Sequence, residues 1–131
     1  MEALKLEPKY DSPFVLFDPQ TDEFVMSGTM HPENIQKFMT PIFSWFNDYS
    51  AFKTYSDMNI KMEFFFRYLN SSSYKYLINI LQKLLEFQEK GASISILWKY
   101  EEEDEDMKDR GLDLFEFTEI PLKYECIAIQ E

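Results

Sequence analysis

The sequence predicts an α/β fold: a single domain over residues 1–131, built on a mixed sheet of about five strands with helices packed on it. Short apolar or alternating segments, which are typical of strands, recur along the chain, and segments of helical periodicity separate the later ones. The 131 residues are 45% hydrophobic and include 13 Phe, 8 Tyr and 2 Trp. These large apolar side chains are sufficient for one buried core.

The first part of the chain predicts a β-hairpin followed by a helix. Apolar residues at 13–17 and 23–29 flank a turn rich in Asp and Pro, as in two antiparallel strands. The sequence Pro-Glu-Asn at 32–34 is a helix-start signal. Apolar residues then recur at helical spacing over 35–49, and Pro41 inside this stripe predicts a kink or a break.

The central part predicts a β-α-β unit. Residues 58–68 alternate, so Met58, Ile60, Met62, Phe64, Phe66 and Tyr68 are expected on one face of a strand. A helical stripe follows, Gly91 marks its C-terminal end, and residues 93–100 form the next strand. Because a helix joins the two strands, we expect them to be parallel with a right-handed crossover.

The last part predicts a third, weaker helix and a final strand. The acidic run at 101–106 opens the helix, and residues 121–129 alternate as a strand. The predicted order of elements is therefore β-β-α-β-α-β-α-β.

The charge excludes several classes of partner. The chain has 24 acidic and 13 basic side chains, a formal net charge of −11. This charge repels phosphate backbones and anionic lipids, so neither nucleic-acid binding nor membrane insertion is expected, whereas a basic protein surface would be attracted. No apolar run approaches the roughly 18 residues of a membrane span, and the first residues lack a secretory signal. A cytoplasmic location is therefore expected.

The chain offers little for catalysis or for metal binding. Cys126 is the single cysteine and His31 the single histidine, so a disulfide or a common zinc site is not expected. Cys126 falls in a predicted strand and is interpreted as a small core residue, and His31 as a turn residue. No glycine-rich phosphate loop or nucleophile motif occurs. We therefore expect no catalytic residue, no cofactor and no enzymatic activity.

Asn70, Ser71, Ser72 and Ser73 lie where the strand over 58–68 ends and a helix begins. One interpretation is helix capping, because Asn and Ser oxygens accept hydrogen bonds from free N–H groups of a first turn. The other is phosphorylation, because a phosphate placed there would face those N–H groups and the positive end of the helix dipole. It would add about −1.5 to −2 charges at one point. Both interpretations stay open on the residues alone.

The acidic run at 101–106 also has two interpretations. Glu101, Asp104 and Asp106 are candidates for contact with a basic partner. Alternatively, the run is a solvated first helical turn, in which acidic side chains complement the helix dipole. It lacks the glycine and the alternation of a calcium-binding loop, so no metal site is predicted.

Four segments together resemble one bacterial protein family, the SiaC-type regulatory phosphoproteins. The segments are residues 12–18, Ser27-Gly28 leading to Pro32-Glu33-Asn34, residues 68–75, and Trp98 through the acidic run to Met107 and Gly111. They occur in family order over most of the chain, and the resemblance depends on the combination.

This resemblance implies a fold like that of the anti-sigma-factor antagonists of the SpoIIAA/STAS type. It also implies a partner switch: a Ser/Thr protein kinase phosphorylates the protein and a PP2C-type phosphatase reverses this. The unmodified form is implied to bind and activate a diguanylate cyclase, which raises cyclic di-GMP and promotes aggregation or biofilm. The family phosphorylates the first hydroxyl after Leu-Asn, which is Ser71 here, with Ser72 as the alternative. Asn70, Ser72 and Ser73 then shape the loop and the helix start.

Three other hypotheses remain. The same fold could antagonise an anti-sigma factor in a sigma-factor circuit. The serines could merely cap a helix in a constitutive protein-interaction module that is never phosphorylated. Clustered carboxylates such as Asp104 and Asp106 could support an enzyme, although nothing in the sequence selects a catalytic pair.

Overall fold

The computed structural model describes residues 1–130, apart from the side chain of residue 117. A six-stranded mixed sheet carries three helices, which confirms the predicted fold class. The elements are β1 (Leu4–Leu6), β2 (Phe14–Phe17), β3 (Glu23–Met30), α1 (Ile35–Phe52), a 3₁₀ turn (Tyr55–Asp57), β4 (Asn59–Leu69), α2 (Ser71–Glu89), β5 (Ser93–Glu101), α3 (Glu105–Phe117) and β6 (Lys123–Ile129).

The strands lie in the sheet in chain order, from β1 to β6. The first three pair antiparallel, and β3, β4, β5 and β6 pair in parallel through helical crossovers. Both the hairpin of β2 and β3 and the parallel β4-α2-β5 unit are therefore confirmed. Because β3, β4 and β5 run the same way, their carboxyl ends lie along one edge of the sheet.

The predicted count of about five strands is corrected to six by β1. This strand has only three residues, too few for an alternating pattern to stand out in the sequence. It forms because it pairs with β2, Leu4 opposite Phe17, which also brings Leu4 and Leu6 against the core. The observed order is therefore β-β-β-α-β-α-β-α-β.

The three helices pack on one face of the sheet. Helix α1 places Trp45 on Phe17 of β2, with ring centroids 5.6 Å apart, and α3 places Phe115 on Trp98 of β5 at 6.4 Å. Helix α2 packs on the same core: it contacts β5 directly, and its Phe87 lies 6.1 Å from Phe46 of α1 between ring centroids. The apolar side chains of β2 to β5 on this face are almost completely buried, so the main core lies between the sheet and the helices.

Within residues 1–130, no helix covers the opposite face of the sheet, which we call the open face. Its registers pair Glu63 with Leu97 and Phe65 with Lys99, so apolar and charged side chains share this surface. Lys99 and Glu63 form an ion pair of 2.9 Å. The strands place five cations and four carboxylates on the open face: Lys5, Lys61, Arg67, Lys99, Lys123, Glu23, Glu63, Glu101 and Glu125.

Helix α1 continues through Pro41, so the expected break is wrong. Proline removes one backbone hydrogen bond from a helix interior, a loss of about 3 kcal/mol or more. The burial of the apolar stripe of α1 outweighs this loss, because five of its side chains are buried: Met39, Ile42, Trp45, Phe46 and Tyr49.

None of the helices within residues 1–130 is long and apolar enough to cross a membrane.

A buried carboxylate fixes the amino end of β4. Asp22 is only 4% exposed and adopts a positive φ of 59°. It accepts hydrogen bonds from the Tyr49 hydroxyl at 2.7 Å, from Lys53 Nζ at 2.8 Å and from the Asn59 backbone N–H at 3.0 Å. Burial opposes ionisation of Asp22, but these hydrogen bonds outweigh it and lower the pKa of the carboxyl group.

Because the pKa of Asp22 is lower in the folded than in the unfolded protein, its stabilising effect is present above about pH 4. This effect is lost as the pH falls through the folded-state value. We expect Asp22→Asn, which tolerates the positive φ, to lower the free energy of unfolding by about 2 kcal/mol at pH 7. In urea titrations the difference from the parent should shrink below about pH 4. A difference that does not change with pH would contradict this role.

Candidate functional site

The segment Asn70–Ser73 lies at the edge of the sheet where the parallel strands end. The Asn70 backbone N–H donates to the Met30 carbonyl at 3.2 Å, so the end of β4 is tied to the end of β3. Helix α2 begins at Ser71, directly after this contact. In open α/β sheets, loops at the carboxyl ends of strands are the usual place for functional residues.

Asn70 caps helix α2. Its side-chain oxygen accepts a hydrogen bond from the Ser73 backbone N–H at 2.9 Å, and its own backbone is extended. Within residues 1–130, the N–H groups of Ser71 and Ser72 meet no acceptor, as expected for a first helical turn. These free N–H groups and the helix dipole favour an anion at this position.

The three serines differ in exposure. Ser71 and Ser72 are exposed, whereas Ser73 is fully buried. The Ser73 hydroxyl has no hydrogen-bond partner within residues 1–130. A kinase can therefore reach Ser71 and Ser72 in the folded protein, but it cannot reach Ser73 without local opening.

The acidic run follows β5 along the same edge of the sheet. Glu101 ends β5 and pairs with Arg67 at 3.3 Å. Asp104 is the N-cap of α3, accepting from the Met107 N–H at 3.0 Å, and Asp106 is exposed in the first turn. Across residues 1–130, no group of three or more His, Cys, Asp or Glu is arranged to hold a metal ion.

An exposed aromatic cluster beside this edge was not anticipated from the sequence. The ring of His31 packs edge-on against Tyr68 at 5.2 Å and faces Tyr10 at 6.4 Å. Tyr10 is 85% exposed and Tyr68 is 53% exposed. His31 also donates its backbone N–H to the Asp11 carbonyl at 2.8 Å, which agrees with its interpretation as a turn residue.

A β-bulge causes the exposure of Tyr68, which the alternation had placed on the core face. Phe66 pairs with Gly28 and Tyr68 with Thr29, so β4 has one extra residue at this point. Beyond the bulge, Leu69 is buried and Tyr68 turns to solvent. Gly28 has a φ of +118°, which side-chain-bearing residues rarely adopt.

Arg110 of α3 contacts the residues on both sides of the segment Asn70–Ser73. Its guanidinium donates to the carbonyl of Leu69 and lies 5.0 Å from the ring centroid of Tyr74. The Tyr74 hydroxyl donates in return to the Arg110 carbonyl at 3.0 Å. Neither contact could be found from local patterns, because about 40 residues separate α3 from this part of the chain in sequence.

Helix α3 is held in place by Trp98. The buried indole N–H donates to the Met107 carbonyl at 3.0 Å. The neighbouring turn of the helix carries Gly111, where a Cβ atom would collide with the indole ring. The absence of a side chain at Gly111 thus lets α3 lie directly on Trp98, and this contact sets the position of Arg110.

Cys126 is half-buried in β6 and packs against the core, as its interpretation as a small core residue requires. Burial raises the pKa of its thiol, and the nearby Glu116 raises it further. The thiolate that reactive cysteines use is therefore disfavoured here.

Comparison with known proteins identifies the family. The model of the SiaC family regulatory phosphoproteins matches residues 6–127. The chain belongs to the SiaC family. An uncharacterized protein of Pseudomonas aeruginosa (strain UCBPP-PA14) is 26% identical to this SiaC-family chain over 105 residues, 80% of this chain and 81% of that protein. The resemblance drawn from the sequence segments is therefore confirmed.

Two solved structures have the same fold as this SiaC-family chain. Apo-SiaC from Pseudomonas aeruginosa superimposes with a TM-score of 0.86 at 22% identity, covering 98% of this chain and 100% of that one. The second structure is the diguanylate cyclase SiaD in complex with its activator SiaC, also from Pseudomonas aeruginosa. The matched chain gives a TM-score of 0.79 at 23% identity, with 96% and 99% coverage.

The contributions of the Asn70 and Ser73 side chains to stability at the start of α2 can be tested separately. We expect Asn70→Ala to lower the free energy of unfolding by about 1 kcal/mol, because the Ser73 N–H loses its acceptor. We expect Ser73→Ala to be neutral or slightly stabilising, because it removes a buried hydroxyl that has no partner. Denaturant titrations of both variants, with exposed Ser72→Ala as control, measure the difference. A large loss on Ser73→Ala would show that its hydroxyl is bonded.

The contact between Gly111 of α3 and the ring of Trp98 gives a second stability test. Gly111→Ala should lower the free energy of unfolding by about 2 kcal/mol, because the added methyl group displaces the helix from Trp98. Asp109→Ala, an exposed change in the same helix, should stay within about 0.5 kcal/mol of the parent. Equal effects of the two substitutions would contradict the contact. Thermal and urea unfolding followed by tryptophan fluorescence measure both.

Proposed function

We propose that this protein is a non-enzymatic, cytoplasmic regulatory phosphoprotein of a bacterial partner switch. In this proposal, the form without phosphate on Ser71 binds and activates a diguanylate cyclase, which controls cyclic di-GMP and hence aggregation or biofilm. A Ser/Thr protein kinase adds the phosphate and a PP2C-type phosphatase removes it. The observation that carries the proposal is an exposed serine at a free helix N-terminus, in a chain of the SiaC family.

Two lines of support concern the partner. The family is described as one of regulatory phosphoproteins, and it covers residues 6–127 of this chain. A SiaC of the same fold forms a complex with the diguanylate cyclase SiaD as its activator. A binding role also agrees with the acidic run, where Asp104 caps a helix and Glu101 pairs with Arg67 instead of forming a catalytic cluster.

The geometry around Ser71 supports the choice of modified residue. Ser71 is the first residue of α2, so a phosphate on its oxygen would lie near the positive end of the helix dipole. The free N–H groups of Ser71 and Ser72 are donors for its oxygens. Ser72 is also exposed and is the second candidate, whereas buried Ser73 is a poor substrate.

A phosphate on Ser71 would change the binding surface in two ways. It would add about −1.5 to −2 charges to a chain whose formal net charge is already −11. It would also add bulk at the edge of the sheet where the parallel strands end. The same edge also presents the exposed ring of Tyr68, which packs on half-buried His31 and is suited to contact with a protein partner. A partner that covers this edge would therefore be displaced by the charge and the volume of the phosphate.

The test combines site mapping with binding. Intact-mass and fragment analysis of protein from its native cells should find one phosphate on Ser71, absent from Ser71→Ala and retained in Ser72→Ala. The unmodified protein should bind a purified diguanylate cyclase from the same cells and raise its product formation. We expect phosphorylated protein to bind at least about tenfold more weakly, since phosphate in an interface brings both repulsion and desolvation.

Different outcomes lead to different conclusions. Phosphate found only on Ser72 would move the switch by one residue. No phosphate on Ser71, Ser72 or Ser73 in any growth state would contradict the proposal and favour a constitutive interaction module. Capture of a kinase-like anti-sigma protein and no cyclase would favour an anti-sigma-factor antagonist. Ser71→Ala, which cannot be phosphorylated, should activate the cyclase as the unmodified parent does.

A further inference from the structure

We propose that Arg110 is the residue that binds the phosphoryl group of phosphorylated Ser71, and that it thereby links the modification on α2 to helix α3. This inference rests on the proposed function, because it requires phosphate on Ser71. It adds a partner for that phosphate within the chain itself, on a helix that sequence proximity does not suggest.

The placement of Arg110 is the first support. Its guanidinium donates to the Leu69 carbonyl, two residues before Ser71, and lies 5.0 Å from the ring centroid of Tyr74, three residues after it. The side chain thus contacts residues on both sides of Ser71 in the chain. The backbone of Arg110 is held there as well, because the Tyr74 hydroxyl donates to its carbonyl at 3.0 Å.

The availability of the guanidinium is the second support. Within residues 1–130, Arg110 forms no ion pair with a carboxylate, although the chain has 24 acidic and 13 basic side chains. Its acceptor is a neutral carbonyl group. A phosphate dianion is a stronger acceptor, and the planar guanidinium can donate two parallel hydrogen bonds to it. Phosphorylation therefore offers Arg110 a better partner than Leu69.

Unused donors at the same helix start add to this support. The backbone N–H groups of Ser71 and Ser72 meet no acceptor within residues 1–130, and the buried Ser73 hydroxyl also has no partner there. A phosphate on Ser71 would lie between these donors and the guanidinium. Positive charge from the helix end and from Arg110 would then act on one dianion.

Contact between the phosphate and Arg110 would also affect the acidic run at 101–106, which lies at the start of α3. Arg110 precedes Gly111, which lies directly on Trp98, and it follows Met107, whose carbonyl accepts from the Trp98 indole. Helix α3 begins after Asp104, beside the exposed acidic side chains. Engagement of Arg110 by phosphate would act on this helix, so a modification on α2 would be transmitted to a second surface of the same edge.

The test uses protein in which phosphoserine is incorporated at position 71 during synthesis, so it does not depend on finding the natural kinase. The second pKa of the phosphate is measured by ³¹P NMR titration. A guanidinium that contacts the dianion favours its ionised form and lowers this pKa. We expect Arg110→Gln to raise it by about 0.5 to 1 unit relative to the parent.

Lys108→Gln is the matched control. It removes the same charge from the same helix, but Lys108 is two residues from Arg110, so it points to another side of α3, where it lies near Cys126. The control should leave the phosphate pKa within about 0.2 unit of the parent, as expected for a distant screened charge. Equal shifts in Arg110→Gln and Lys108→Gln would overturn the proposal, because they would reflect net charge alone.

Two further measurements keep the result decisive if Arg110→Gln folds poorly. Arg110→Lys keeps the charge but loses the paired donors, so its phosphate pKa should lie between those of the parent and Arg110→Gln. In the parent, the Arg110 side-chain N–H resonance should shift on phosphorylation, and an unchanged resonance would contradict the contact. If the contact forms but cells never contain phosphorylated Ser71, the proposed function fails while the inference about Arg110 stands.

Discussion

The buried indole of Trp98 is the contact on which the arrangement of helix α3 depends. It packs against Phe64 and Phe66 of β4, with ring centroids 5.7 and 5.9 Å apart, and against Phe115 of α3. Its N–H group satisfies the Met107 carbonyl, which helps to fix the helix at one height above the sheet. The contact is directional as well as apolar, so it defines where α3 lies more tightly than burial alone would.

The edge formed by the carboxyl ends of three parallel strands depends on this placement. Asn70 N–H binds the end of β3, the guanidinium of Arg110 binds the end of β4, and Asp104 caps the helix that follows β5. Each of these contacts satisfies a backbone group that a strand or helix end leaves unpaired. The exposed Ser71, the guanidinium of Arg110 and the exposed ring of Tyr68 all lie along this edge.

Local patterns were sufficient to predict much of this fold. The hairpin, the parallel β4-α2-β5 unit and the helix start within residues 70–73 follow from residue spacing within short segments. Three features depend on tertiary contacts and could not be predicted in that way. Strand β1 needs β2 as a partner, the bulge that exposes Tyr68 needs β3, and Arg110 reaches Leu69 only because Gly111 seats α3 on Trp98.

Charge is distributed unevenly between the open face of the sheet and the rest of the molecule. Five of the 13 basic side chains lie there with only four carboxylates, so this face is close to neutral. The negative excess is therefore concentrated on the helices, the loops and the rims of the sheet, and the molecule has a permanent electric dipole moment. In the electric field of a basic protein surface, the molecule would rotate before contact so that its acidic side faces that surface. The distribution of charge between the sheet and the rest of the molecule thus sets this orientation.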